Sequence, residues 1–329
     1  MAAFAEAVVM VAGAQDLESA KRDAKEFMVC SSTTLPGDAA PRVDVFDTSY
    51  MILTVRKQLK MTDAVLVEAS DGVISVTLNR PEKRNAIDSE IIDGLIAVQQ
   101  QLKDDSTARV VVLAGAGDCF CAGLDMANMA DMVSGDLTAG SAAQAYDELS
   151  PAGANRVQQL GWGWQELSIP VIAAVTGAAM GGGLNLALGA DIRVVAPDAK
   201  LGFVEIRFGL LPDMSATQSL RHLAGLERAK ELILTGRRFT GIQAYEYGLA
   251  AIVVENPREE ALAIARTIAG HNPDAVRAGK KLLNDSVFSS TRAGLLAESN
   301  CSRELLGTTN QIEAVMSTLE RRPADFKSS

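Results

Sequence analysis

The chain has 329 residues, enough for one large α/β domain or two smaller ones, and its 48% hydrophobic and 22% charged residues fit a folded globular protein rather than a disordered one. A formal net charge of −10 without any dense Lys/Arg run excludes a general nucleic-acid surface, so an anionic ligand has to be met by local donors. Only His222 and His271 are present, and Cys30, Cys119, Cys121 and Cys301 lack metal-ligand spacing, which disfavours zinc centres and Ser/His/Asp triads and leads us to expect reduced thiols and a cytoplasmic location.

Residues 1–60 mix Ala-rich sequence with the loop-like SSTTLPGDAAPR, and we read them as an N-terminal extension, either a flexible tail or sequence upstream of a natural start at Met61. Glu6 interrupts the apolar 1–14 stretch and no basic segment precedes it, so it is not read as a signal peptide. Residues 65–69 and 73–79 alternate around Asp71-Gly72, which predicts a hairpin, and Asp88 then opens an amphipathic helix to about Leu102. The run at 109–114 reads as a buried strand. A mostly helical segment to Leu167, a strand at 171–175, a helix from Gly182 and a strand at 191–195 follow. This alternation predicts a largely parallel sheet covered on both faces. Residues 169–190 carry no charge, but their glycines suit a buried strand-turn-helix better than a membrane span. Beyond Asp213 nearly everything reads as helix, at 240–248, 257–269, 273–284 and about 293–321, with a short strand at 251–254. We place a core at 61–256 and a helical C-terminal region at 257–329.

Three constellations can carry chemistry. Gly181-Gly182-Gly183 opens a helix, where missing side chains let backbone amides approach a ligand beside the positive end of the helix dipole; a turn needing glycine only for packing is the plainer alternative. Cys121-Ala122-Gly123-Leu124-Asp125 follows a buried strand and can present a second amide, completing an oxyanion hole. Glu205 and Asp213 are separated by Gly209 and Pro212, so the chain can fold both carboxyls toward one cavity. Val204, Ile206, Phe208, Leu210 and Leu211 would make that cavity apolar and raise a carboxyl pKa. Asp213 as a helix N-cap and Glu205 in a surface ion pair remain the structural alternatives.

The runs LNRPEKRNAI (78–87), CFCAGLDM (119–126), IPVIAAVTGAAMGGGLNLALGADIRVV (169–195) and VEIRFGLLPD (204–213) resemble the enoyl-CoA hydratase/isomerase (crotonase) family over about residues 62–329. The resemblance implies an α/β fold, a repeated ββα superhelix with a helical C-terminal region, acting on acyl-CoA thioesters and assembling as a homotrimer or a dimer of trimers. It also implies no metal, no nucleic-acid or membrane partner, and no cofactor beyond the coenzyme A carried by the substrate. By motif position the oxyanion donors are the N–H groups of Leu124 and Gly182. The CoA moiety is placed near Arg84, Ala86, Ala122 and Asp125, with Lys280 on its phosphates or, alternatively, a solvated helix charge.

The hydratases of the family carry a glutamate where this chain has Asn185, and an amide cannot exchange protons, although it can hold a water or orient a thioester. Glu205 and Asp213 are placed as in the dienoyl-CoA isomerases, and AGLDMANMADMV at 122–133 is similar to that branch, although the branch usually has an aspartate at position 185. We therefore expect double-bond relocation by Glu205 and Asp213, with Asn185 assisting. A hydratase using Glu205 and a non-catalytic acyl-CoA-binding scaffold are the alternatives. A dehalogenase is disfavoured because no histidine precedes His222.

Overall fold

The computed structural model describes residues 57–60, 62–125 and 149–328, all within one compact unit, Thr54–Ser329. The expectations for 1–56, and for the part of the expected helical segment at 126–148, lie outside the described residues. Residues 57–60, assigned above to the extension, form strand β1 (Lys57–Lys60), antiparallel to β2 (Val65–Ser70) with Lys57 opposite Ala69.

Strand β3 (Val73–Leu78) pairs antiparallel with β2 through Asp71-Gly72, whose φ angles of 52° and 78° are both positive, as a two-residue type I′ hairpin requires. Parallel strands follow: β4 (Val110–Gly115), β5 (Val171–Val175), β7 (Ile192–Val195) and β10 (Ile252–Val253), giving a seven-stranded sheet in the order β1-β2-β3-β4-β5-β7-β10. Every residue of β4 and β5 is buried, because helices cover both faces. Period-2 alternation divides their side chains: Val111, Leu113, Val171, Ala173 and Val175 enter one apolar cluster, and Val110, Val112, Ala114, Ile172 and Ala174 enter the other.

Helix α1 (Ser89–Lys103) starts at Asp88, whose side chain accepts from the Ile91 N–H, and buries Ile91, Leu95, Val98 and Leu102 on one face. Helix α2 (Arg156–Glu166) carries an Asn155/Gln158 capping box. On the other face, α7 (Pro257–Ala269) presents Ala261, Ala265 and Ala269 to the sheet; the four-residue spacing keeps these small side chains on one helix face. A smaller three-stranded sheet, unpredicted from sequence, joins β6 (Ala178–Met180), β8 (Lys200–Gly202) and β9 (Arg238–Thr240), with β8 central. Between β6 and β7 lies α3 (Gly182–Leu188). Helices α4 (Ala216–Leu223), α5 (Gly225–Thr235) and α6 (Gly241–Glu246) surround the smaller sheet in sequence.

The C-terminal region is helical, as expected. It comprises α7 together with α8 (Pro273–Ser286), α9 (Thr291–Leu305) and α10 (Thr309–Glu320). The single helix expected over 293–321 is two. Gly307 turns with φ 77° and Thr308 caps α10 by accepting from the Gln311 N–H, a local stop-and-restart that outweighs the continuous apolar pattern. Among the described residues no helix is long and apolar enough to cross a membrane.

Candidate active site

The end of β6 and the start of α3 meet at Gly181, whose φ of 51° with ψ of −122° is accessible essentially only to glycine. Gly183 is needed for a different reason: a Cβ there would lie 2.3 Å from the Cys121 carbonyl oxygen. The segment 121–125 is thus pressed directly against the start of the helix. It is pinned by short ladders, with the Cys121 N–H donating to Ala178 O (2.9 Å) and the Met180 N–H to Cys121 O (3.1 Å).

On its other side the same segment pairs with Ile87, whose N–H donates to Gly123 O (2.7 Å) and whose carbonyl accepts from the Asp125 N–H (3.0 Å). Leu124, held between these bonds, and Gly182, the first residue of α3, have N–H groups with no carbonyl acceptor among the described residues. A Cβ on Gly123 would come within 3.8 Å of the Gly182 nitrogen, so the loop that carries the Leu124 amide adjoins the helix N-terminus. Two donors and a helix dipole can then act on one oxygen atom.

Glu205 opens a short 3₁₀ turn, Glu205–Phe208, ended by Gly209 in the left-handed region at φ 73°. A Cβ on Gly181 would lie 3.5 Å from the Glu205 carboxyl carbon, which places that carboxyl at the amide cradle. Asn185, on α3, is 1% exposed; its Nδ2 donates both to Glu205 Oε1 and to Gly181 O, each at 2.8 Å. The carboxyl therefore meets an amide rather than a cation. Burial raises the Glu205 pKa above the usual carboxylate range and the charge of Asp213 pushes the same way, while hydrogen bonds from the Glu205 backbone and from Asn185 oppose them. Glu205 Oε2, Asn185 Oδ1 and Ser215 Oγ are buried without a partner among the described residues.

Asp213 is exposed, and it is not a helix N-cap, because Ser215 occupies that position before α4. Its charge is nevertheless felt at Glu205. The expected apolar surroundings are corrected: Ile206, Phe208, Leu210 and Leu211 are exposed, and the burial of Glu205 comes from the Gly181–Asn185 side.

Arg84, Ala86 and Ala122 do come together at one rim. The Ala122 N–H donates to Arg84 O (2.9 Å), the Arg84 and Ala122 residues are exposed, and Ala86 lies one residue before the Ile87 bridge. Asp125 and Lys280 are placed differently from the expectation that they bind CoA. The Asp125 carboxylate is buried and paired with Arg80 (3.0 Å), which also reaches Asp88 (3.1 Å) and donates to Ala86 O (2.7 Å). Lys280 is neither solvated nor available to phosphate. Its ammonium is buried, 2.8 Å from Asp191 Oδ2, and donates to Trp164 O and Ile169 O, each at 2.9 Å, which uses all three protons. Burial lowers its pKa, and Asp191 opposes that.

Sequence reasoning missed Arg80 and Asn85. Asn85 is fully buried at φ 55°; its Oδ1 accepts from the Arg80 N–H, and its Nδ2 donates to Ala116 O and Cys119 O. Both belong to the 78–87 run, but nothing in that run by itself distinguishes a scaffold amide from a ligand contact. Cys119 and Cys121 are buried, and burial pushes the Cys121 thiol up to about 12, so it is not poised as a nucleophile.

Residues 68–329 match the family model for enoyl-CoA hydratase/isomerase. Mouse enoyl-CoA hydratase domain-containing protein 2, mitochondrial, is 33% identical over 79% of this chain and 86% of its own length. Human methylglutaconyl-CoA hydratase, mitochondrial, is 31% identical over 80% of this chain and 76% of its own length. Among solved structures, enoyl-CoA hydratase from Bacillus anthracis superposes with a TM-score of 0.72 at 31% identity, covering 81% of this chain and all (100%) of the other. The enoyl-CoA hydratase of Mycobacterium tuberculosis gives 0.69 at 28% identity, covering 82% of this chain and 100% of the other. With the crotonase-type sheet, the glycine-opened helix and the amide-carrying loop all in place, this chain belongs to the enoyl-CoA hydratase/isomerase family and is an acyl-CoA enzyme.

Proposed function

We propose that the protein relocates double bonds in enoyl- or dienoyl-CoA by carboxylate proton transfer, with 3,5-dienoyl-CoA to 2,4-dienoyl-CoA as the preferred reaction. The N–H groups of Leu124 and Gly182 hold the thioester oxygen. One carboxyl removes a proton from C2, the negative charge spreads over the oxygen and the conjugated carbons, and the second carboxyl returns a proton at C6. Atoms and charge balance without water, metal or a cofactor other than the CoA of the substrate. Glu205 and Asp213 carry the protons jointly.

The observation that carries this reading is the Glu205 carboxyl beside the amide cradle, with its pKa raised by burial and by Asp213, while the third polar side chain, Asn185, is an amide. Hydration is the second reading, favoured by one observation besides the names of the relatives. Among the described residues Glu205 Oε2 and Asn185 Oδ1 are buried acceptors without donors, and a reacting water needs such acceptors. The CoA moiety lies along the rim formed by Arg84, Ala86 and Ala122. Assembly as a trimer or a dimer of trimers would cover apolar side chains now exposed on the C-terminal helices, such as Leu295, Leu296, Ile312 and Leu319.

Incubation of the purified protein with 3,5-dienoyl-CoA, 3-enoyl-CoA and 2-enoyl-CoA separately, with product identification, tests the assignment. Isomerised dienoyl product as the fastest reaction supports it. Hydration of 2-enoyl-CoA as much the fastest reaction, unaffected by Asp213→Asn, overturns it.

A further inference from the structure

The start of α3 is crowded on the side where the thioester must bind. In a helix the Cα–Cβ bond tilts toward the N-terminus, so the N–H of Gly182 and the position its Cβ would occupy project toward the same end. That position lies 3.0 Å from Met214 Sδ and 3.1 Å from Ile87 Cδ1. Both side chains are buried, at 6% and 2% exposure, so neither is a mobile surface group. Ile87 is also the residue whose backbone clamps the loop on either side of Leu124. One residue thus fixes one proposed donor with its main chain and walls the other with its side chain.

We infer that Ile87 and Met214 form an apolar wall beside the amide cradle that selects acyl-CoA thioesters unbranched at C2. This rests on the proposed binding of the thioester oxygen by Leu124 and Gly182. An oxygen hydrogen-bonded to the Gly182 nitrogen brings the carbonyl carbon, and C2 after it, within a few bond lengths of the two side chains. In the conjugated anion C2 is planar, and its third substituent lies in the plane of the thioester. Hydrogen fits beside Met214 and Ile87, whereas methyl must displace them. The other approach to C2, on the Gly181 side, has to stay open for the Glu205 carboxyl. The wall also excludes water from the thioester oxygen, which strengthens the hydrogen bonds that hold it. The stiff β-branched Ile87 sets the limit, and the flexible thioether of Met214 fills what remains.

The test compares linear with 2-methyl ligands in wild type, Met214→Ala, Met214→Leu and Ile87→Val, the last deleting Cδ1 alone. Calorimetry with butanoyl-CoA and 2-methylpropanoyl-CoA reads the wall without turnover; kcat/KM for 3,5-octadienoyl-CoA and 2-methyl-3,5-octadienoyl-CoA reads it during the proposed reaction. Wild type is expected to favour the linear ligand by roughly tenfold or more, within the 10–200-fold range of a methylene-sized change in an apolar pocket. Met214→Ala and Ile87→Val narrow that ratio at least threefold, and Met214→Leu retains it. Linear and branched ligands bound within twofold by wild type, or a ratio unmoved in both Met214→Ala and Ile87→Val, overturn the inference. Binding of neither thioester defeats the proposed oxyanion site, and the wall with it. Binding with discrimination but no turnover defeats only the proposed reaction.

Discussion

Glu205→Gln separates proton transfer from everything else the residue does. The substitution keeps volume and shape, and the new amide oxygen still accepts from Asn185 Nδ2, as Oε1 does at 2.8 Å. The new amide nitrogen replaces Oε2, a buried acceptor that has no donor among the described residues. Binding of acyl-CoA should therefore persist while proton exchange is lost. A positioned acid or base contributes about 10²–10⁴-fold, so kcat should fall by that factor, about 3–5 kcal/mol in the barrier. Stability moves the other way. Because the folded-state pKa of Glu205 is raised, the folded protein holds this proton more tightly than the unfolded chain does. The contribution is therefore fully present below the unfolded pKa and is lost as pH rises through the folded one. Glu205→Gln removes that loss, so urea unfolding from pH 4 to 8 should show the variant gaining on wild type as pH rises. Product assays and calorimetric binding of butanoyl-CoA complete the set. A variant within threefold of wild-type kcat on all three substrates refutes a proton-carrying role for Glu205.

Asp213→Asn should slow conversion of 3,5-dienoyl-CoA by about 10²-fold or more and leave hydration of 2-enoyl-CoA little changed, as measured by product formation. Lys280→Met takes the cation from half-buried Asp191, which keeps the Val171 N–H as a donor, and removes the buried donors to Trp164 O and Ile169 O; loss of the buried ammonium predicts about 3 kcal/mol lower stability by denaturant unfolding. Ser215→Gly relieves a non-glycine residue at φ 71° and deletes a buried hydroxyl without a partner among the described residues, which should stabilise by about 1 kcal/mol and raise Tm by about 2 °C in a thermal melt.

Features that depend on nearest neighbours and periodicity can be read directly from the residues. The Asp71-Gly72 hairpin, the Asp88 cap and the buried runs of β4 and β5 were legible because turn geometry, capping and two-sided burial leave residue-level signatures. The glycines at 181–183 were legible for the same reason, since a left-handed turn and a backbone contact at 2.3 Å admit no side chain. Glu205 stood out by motif position, but the source of its burial did not. Its apolar sequence neighbours turn outward, and the residues that enclose it come from α3.

Tertiary structure alone decided the partners. Whether Lys280 meets phosphate or Asp191, whether Asp125 meets a ligand or Arg80, and whether Asn85 binds or braces are choices between groups far apart in the chain. A side chain's charge or amide is the same in either setting, and only the folded path of the backbone supplies the desolvation and the counter-group that settle its role.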